Sequence, residues 1–452
     1  MGSKKAKVAA AVTPEEDYGD RWSWNDDVLT EIFVLLPDAS CMKSKKAKVL
    51  AAVTPEEEYG DRWSRLIWNN DLLTEIFVRL PAKYVTRCKL VCKHWLSLVS
   101  SEKFYHLHTM RCPNLRPSFI LDRRTSISQF LIIDPIINGE KQMTPYTFSV
   151  PDSMIKNSCN GLMLLQSRSR SRHPEKSFHV YNPTTKLSRK VSVTDAHIGN
   201  SPYIVEIALA FDPSKSPHYK VVCIRSSTSR STPYHKMHTY QIEVYDSESH
   251  AWKLRLGPFT YPKRLYLCGG RGGVYCKGSI YWENYNDIIV YYDIARNEFQ
   301  NLSMPDYPPH EPGIVHWRTT SGLQGANGCL YKSRCLIKDN RQSVELFELE
   351  MDDDRSSSWL LRYNETICQH EHTNFSYGHN NFPYLLRFIK GSYGTETCSV
   401  VSHMCGKISV YSFLDKSYKF LVDLKRQPFR SKAYRQAPES KMHEFIECLA
   451  VV

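Results

Sequence analysis

The sequence predicts an α+β multidomain chain, a small unit of three short helices followed by an all-β propeller of about six blades. Three observations carry this. Apolar residues recur at helical spacing from Leu72 to about Phe104, and there the helical period ends. Beyond about residue 112, short β-branched and aromatic runs alternate with Gly, Pro, Asn and Asp turns through to the C-terminus. Those strands recur as one unit every 45–65 residues or so, the size of a propeller blade.

Composition bounds the class. The 452 residues hold 59 Lys+Arg against 47 Asp+Glu, a net charge of +12, with 42% apolar and 23% charged residues. That balance provides for a buried core and excludes a disordered or collagen-like chain. No stretch approaches the roughly 18 apolar residues that span a bilayer. The opening Met1-Gly2-Ser3-Lys4-Lys5-Ala6-Lys7 is basic without an apolar region after it, and position six is Ala6. Neither a secretory signal nor N-myristoylation is therefore expected, which places the protein in the nucleus or cytoplasm. Fourteen scattered cysteines with no C-x-x-C pair read as reduced, mostly buried thiols.

The front of the chain, 1–67, contains a partial duplication. Ser3–Ser23 recurs as Ser44–Ser64, and Trp24–Phe33 recurs as Trp68–Phe77. Two copies do not make a solenoid, which needs about three stacked units. Thr13-Pro14-Glu15-Glu16 and Thr54-Pro55-Glu56-Glu57 carry helix-start chemistry, yet Gly19-Asp20 and Gly60-Asp61 stop either helix within two turns. The first copy keeps Leu29, Ile32, Phe33, Leu36 and Pro37 but has no second helix, so independent binding by it is not expected.

Residues 68–110 form the helical unit. Leu72, Leu73, Ile76, Phe77 and Leu80 share a helical period that Pro81 ends. Val85, Cys88, Leu90, Val91, Cys92 and Trp95 mark a second helix, and Leu96, Leu98, Val99 and Phe104 a third. About 40 residues cannot bury enough apolar area to stand alone, and this unit is apolar on more than one face. A partner must cover the surplus.

These residues resemble an F-box: Asp71-Leu72-Leu73-Thr74-Glu75-Ile76-Phe77-Val78-Arg79-Leu80-Pro81, then Val91-Cys92-Lys93-His94-Trp95 at the expected separation. The resemblance implies packing on the Skp-type adaptor of a cullin–RING ubiquitin ligase. Carried over by position, the adaptor-facing candidates are Leu72, Leu73, Ile76, Leu80, Pro81, Val85, Leu90, Val91 and Trp95. Asn69-Asn70 replaces the Leu-Pro that often opens the motif, and Tyr84-Val85-Thr86 thins the usual Leu-rich entry to helix two. Arg79, Lys83, Arg87, Lys89 and Lys93 make the segment basic, and the adaptor family is acidic, so complementary fields favour encounter.

Residues 111–452 carry the blade signal. Tyr245 with Trp252, Tyr292 with Phe299 and Tyr411 with Tyr418 each stand seven apart, as in a strand ending in Tyr, a turn, and a strand returning an aromatic to the same face. Tyr181 with Leu187 is a shorter variant and Phe347 with Trp359 a longer one. Gly-led strands open Gly161-Leu162-Met163-Leu164-Leu165, Gly278-Ser279-Ile280-Tyr281-Trp282 and Gly328-Cys329-Leu330-Tyr331, and Pro117–Pro135 is expected in the first blade. This region resembles the F-box-associated, kelch-like domain of a large plant family. The resemblance implies that loops on one face, or the central channel, hold a protein target. Ser167–Arg172 and Arg225–His235 are Arg- and Ser-rich loops suited to an acidic or phosphorylated segment, or to phosphorylation of their own serines.

Catalytic and metal chemistry is not expected. Cys368, His370, His372 and His379 lack the spacing of a structural zinc site. Gly269–Gly273 lacks the Lys-Ser/Thr of a phosphate loop. Neither G-x-S-x-G nor H-E-x-x-H occurs, and the three N-x-S/T triplets should stay bare without a secretory route. The expected function is that of a non-catalytic substrate receptor in a Skp–cullin–F-box ligase, without cofactor or metal. A nucleic-acid-binding protein, favoured by the +12 charge but not by the spread of its basic residues, and a propeller-based enzyme are the alternatives.

Overall fold

The computed structural model of the chain describes residues 69–111, 118–122, 130–133, 145–146, 153–167, 177–193, 202–267, 272–284, 288–306, 315–316, 322–326, 328–338, 341–351, 357–367, 384–390, 398–404, 407–423, 441–450 and 452. The duplicated leader, the Cys368–His379 cluster and Arg168–Arg172 lie outside them.

Four helices open the described chain: α1 (Asn70–Phe77), α2 (Ala82–Cys88), α3 (Lys93–Val99) and α4 (Glu102–Arg111). The Asn pair that departs from the motif has a local purpose. Asn69 caps α1, its Oδ1 accepting from the backbone N–H of Asp71 and of Leu72 at 3.0 Å each. The first helix stops at Phe77 with Val78 as its C-cap, short of the expected Leu80, and Pro81 stands at the cap of the second helix, where its missing N–H costs nothing. The second helix of the sequence reading is two helices in the structure. After Cys88 the chain tightens, with Leu90 N–H on Arg87 O and Val91 N–H on Cys88 O, three residues back rather than four. Cys92 then starts α3, its Sγ accepting from Trp95 N–H at 3.4 Å. The last predicted helix also divides, because Ser101 Oγ accepts from Phe104 N–H and caps α4.

Twenty-five strands among the described residues form six sheets. Blade two is β4 (Ser153–Cys159), β5 (Leu162–Ser167), β6 (Phe178–Asn182) and β7 (Leu187–Val191). Blade three is β8 (Tyr203–Ala210), β9 (Lys220–Ser226), β10 (His238–Asp246) and β11 (Ala251–Tyr261). Blade four is β12 (Val274–Cys276), β13 (Ser279–Asn284), β14 (Ile288–Asp293) and β15 (Glu298–Ser303). Blade five has β16 (Val315–His316), β17 (Gly322–Ala326), β18 (Cys329–Lys338), β19 (Arg341–Met351) and β20 (Ser357–Ile367). Blade six is β21 (Tyr384–Lys390), β22 (Cys398–Met404), β23 (Lys407–Ser412) and β24 (Ser417–Asp423). Blade one takes β1 (Ser118–Asp122), β2 (Phe130–Ile133) and β3 (Pro145–Tyr146) from its N-terminal side. Its inner strand, β25 (Lys441–Phe445), comes from the other end of the domain, pairing Ser118 with Phe445 and Asp122 with Lys441. The inner strands β25, β4, β8, β12, β17 and β21 each touch the next, and β21 returns to β25, so the ring closes.

Turn chemistry explains the repeat. Asn160-Gly161 and Lys277-Gly278 join first to second strands with φ of 44° and 90°, and 46° and 88°, the left-handed pair a two-residue hairpin demands. Gly161 is required twice over, since a Cβ there would meet Ile446 O at 2.5 Å and Cys448 Sγ at 2.6 Å. The outer hairpins share a longer turn ending in one positive-φ residue, at Lys186, His250, Asn297 and Lys416. Each begins with a side-chain acceptor (Asn182, Asp246, Asp293 or Ser412) bonded to a backbone N–H inside the turn. The seven-residue aromatic pairs fall in register across these turns, Tyr245 on Trp252, Tyr292 on Phe299 and Tyr411 on Tyr418. The two variants do not pair as their spacing implies. Leu187 stands opposite Asn182, and a bulge after Leu346 sets Phe347 opposite Leu361, which leaves Trp359 opposite Leu349.

The core lies between blades. Leu162, Leu164, Phe178 and Val180 meet Ile207, Leu209, Val221 and Cys223, and the opposite face of blade three meets Ile280, Trp282, Val290 and Tyr292. Burial pushes the Cys276 and Cys448 thiols up to about 12, which keeps them protonated and unreactive. Outer-strand tryptophans hook the preceding blade, Trp252 Nε1 donating to Ser192 O and Trp359 Nε1 to Ser303 O.

Candidate functional site

The helical unit has its own small core. Leu73, Phe77, Val78, Leu80, Val85, Cys88, Trp95, Val99 and Phe104 are buried, and Phe77 meets Trp95 edge to face at 4.7 Å. Helix α3 is the centre of this arrangement, touching α1, α2 and α4. Burying each large side chain contributes about 1.5–3 kcal/mol.

The nine candidates from the sequence divide into two groups. Leu73, Leu80, Val85 and Trp95 are at most 5% exposed and belong to the internal core. Leu72 is 38% exposed and Leu90 86%, while Ile76, Pro81 and Val91 are half-buried. At about 100° per residue Leu90 falls opposite Val85, Cys88 and Trp95 even on one long second helix, and the tight turn after Cys88 leaves it outward in the structure. Leu96, 44% exposed on α3, lies outside the motif positions that supplied the nine candidates. Arg79, Arg87 and Lys93 are exposed on the same unit, with Arg79 paired to Glu75 one turn before it.

One buried polar group ties the unit together. His108 on α4, 2% exposed, donates from Nε2 to the carbonyl of Leu80 at 2.8 Å. Desolvation lowers its pKa below 6.5, and the hydrogen bond to Leu80 offsets only part of that. The unfolded chain therefore takes up a proton at this ring before the folded chain does. Stability is fully present above about pH 6.5 and is lost as pH falls from there toward the folded value, by up to about 1.4 kcal/mol per pH unit. Amide protection factors over residues 70–111, corrected for the intrinsic pH dependence of exchange, should fall between pH 7.5 and 5.5, and His108→Gln should flatten that dependence.

In the propeller, the ring interior has its charges matched. Lys332 Nζ reaches Glu283 at 2.7 Å, and Glu206 accepts from Ile207 N–H at 3.0 Å with Lys156 at 3.7 Å. Side-chain amides fasten adjacent inner strands. Asn157 Oδ1 accepts from Leu209 N–H while its Nδ2 donates to Gly273 O, and Gln324 exchanges two bonds with the backbone of Phe388. These groups hold the ring together. They leave no unbalanced charge among the described ion pairs of the interior.

A capped helical unit with unburied leucines, followed by a closed ring of β-blades, defines a protein-docking module fused to a propeller. The F-box domain model matches residues 66–107, and the F-box associated beta propeller domain matches 119–316. An F-box protein of Arabidopsis thaliana is 27% identical over 388 residues, covering 80% of this chain and 86% of its own. An F-box/kelch-repeat protein of the same plant is 23% identical over 241 residues, covering 49% of this chain and 61% of its own. The chain belongs to the plant-type F-box proteins with an F-box-associated β-propeller.

Proposed function

We propose that this chain is the substrate-receptor subunit of a Skp–cullin–F-box ubiquitin ligase, acting in the nucleus or cytoplasm. In this reading a Skp-type adaptor covers Leu72, Ile76, Pro81, Leu90 and Val91, with Leu96 beside them. Leu73, Leu80, Val85 and Trp95 act from beneath by fixing the helices that present those side chains. The propeller holds a protein target, and the ligase machinery transfers ubiquitin to it for degradation. The chain's own contribution to that chemistry is proximity, with no catalytic residue.

The observation that carries the reading is the exposure of Leu72, Leu90 and Leu96 on a helical unit whose core is already filled. Three large apolar side chains left exposed on one small unit support a protein-binding role for it. Exposed Arg79, Arg87 and Lys93 supply the field that an acidic adaptor would meet.

Co-purification with a recombinant Skp-type adaptor tests it. Leu72→Asp with Leu90→Asp should weaken capture at least a hundredfold, since each change removes buried apolar area and places a charge in the interface. Both positions are exposed in the free chain, so its melting curve should hardly move. Full capture by the double variant would refute the assigned face.

A further inference from the structure

A basic, aromatic-walled surface lies at one end of blade three. Two segments form it: the loop Ser227–Met237 that joins β9 to β10, and the chain from Gly257 to Leu267 that ends β11. They are fastened together. Arg264 N–H donates to Tyr234 O at 3.0 Å, Arg264 Nη1 donates to Arg230 O at 3.1 Å, and Leu265 N–H donates to Tyr240 Oη at 2.8 Å. The rings of Tyr234 and Tyr266 meet at 5.5 Å, tilted by 31°.

The charge on these segments is one-sided. They carry Arg230, His235, Lys236, Lys263 and Arg264, and contain neither Asp nor Glu. The nearest carboxylate along β10, Glu243, is already taken by Arg225 at 2.8 Å. No ion pair among the described residues involves Arg230, Lys236, Lys263 or Arg264, and Arg230, Lys236 and Lys263 are exposed. The Arg230 guanidinium lies 4.6 Å from the centre of the Tyr203 ring, and that of Arg264 lies 5.2 Å over the 44%-exposed Tyr266. A guanidinium over a ring can still donate N–H groups to a carboxylate or phosphate, all of them at Arg230 and those other than the committed Nη1 donor at Arg264. In contrast, Arg225, Arg334 and Lys332 are each paired with a glutamate, Glu243, Glu345 and Glu283.

We infer that this surface docks an acidic segment of a protein, its anionic oxygens supplied by phosphoserine or by Asp and Glu, with Tyr266 lying against the segment's backbone. The inference rests on the reading of the propeller as the target-holding part. It is independent of the adaptor face.

The test uses the full chain and fluorescence anisotropy at low and at physiological salt. The probes are a short Asp/Glu-rich peptide, a Ser-rich peptide with phosphoserines, the same sequences with Gln and unmodified Ser, and a single-stranded RNA of similar length. One or both anionic peptides should bind, and their ranking identifies the source of the anionic oxygens. Arg230→Gln, and separately Lys236→Gln with Lys263→Gln, should each weaken that binding about tenfold or more. Lys253→Gln removes the same unit of charge roughly 25 Å away along β11 and should change nothing. Adaptor capture should be unaffected by all of these variants. Loss of adaptor capture with peptide binding intact would count against the ligase reading alone. Equal binding of the neutral peptides, equal loss in Lys253→Gln, or tighter RNA binding through the same residues would overturn this inference.

Discussion

Trp95→Ala is expected to unfold residues 70–111. Trp95 is 3% exposed, meets Phe77 edge to face at 4.7 Å, and sits on the helix that touches all three others. Truncating a buried Trp costs about 3–5 kcal/mol, through lost transfer energy and the cavity left behind. A unit of roughly 40 residues rarely has more than a few kcal/mol in hand, so the loss is comparable to its whole stability. Amide exchange should show Leu73, Phe77, Val85 and Val99 losing protection, while Val221–Ile224 on β9 keep theirs. Adaptor capture should vanish with the fold. The contrast with Leu72→Asp plus Leu90→Asp separates support from contact: one variant loses capture because the helices melt, the other with the helices intact. Retained protection in Trp95→Ala would mean that α3 is not the centre of the unit.

Removing residues 441–452 is expected to abolish cooperative folding of the propeller. That segment supplies β25, the inner strand of blade one, and with it the step from β21 to β4 around the ring. Met442, Phe445, Cys448 and Leu449 are each less than 9% exposed. At about 1.5–3 kcal/mol for each large apolar side chain, their loss approaches the 5–15 kcal/mol that typically holds a domain together. It also strips Asn182, whose Nδ2 donates to Ala450 O at 2.8 Å and Cys448 O at 3.2 Å, leaving buried donors unpaired. The truncated chain should aggregate or show a broad, non-cooperative urea transition. Asn182→Ala in the full chain isolates the polar part and should cost a smaller amount, about 1–3 kcal/mol, with cooperativity kept. A sharp transition in the truncated chain would show that the ring does not depend on this closure.

Much of this protein was legible because its signals are local. The period of Leu73, Ile76, Phe77 and Leu80 defines a helix wherever it occurs, since residues three and four apart share a face. Asn160-Gly161 and Lys277-Gly278 define hairpins because only certain residues tolerate the left-handed backbone there. The seven-residue spacing of Tyr245 and Trp252 follows from one turn type with a fixed count of residues. The F-box and the blade repeat are built from such terms.

What the period could not assign was a choice between equivalent local solutions. Val85, Cys88, Val91 and Trp95 fit one long helix as well as two short ones. The break falls at Cys92, where the i−3 bonds of Leu90 and Val91 end and Cys92 Sγ caps the next helix. The bulge after Leu346 likewise re-pairs Phe347 with Leu361 and Trp359 with Leu349, a shift that spacing alone does not encode.

From the residues alone come the helical unit, the blade repeat, the turns and the apolar faces, since each rests on interactions within a few positions of chain. Tertiary structure alone decides that Ser118 pairs with Phe445, that four of the nine candidate side chains face inward, and that Arg230 and Arg264 stand together over the rings of Tyr203 and Tyr266. These depend on which distant segments meet when the ring closes, and no local period encodes that.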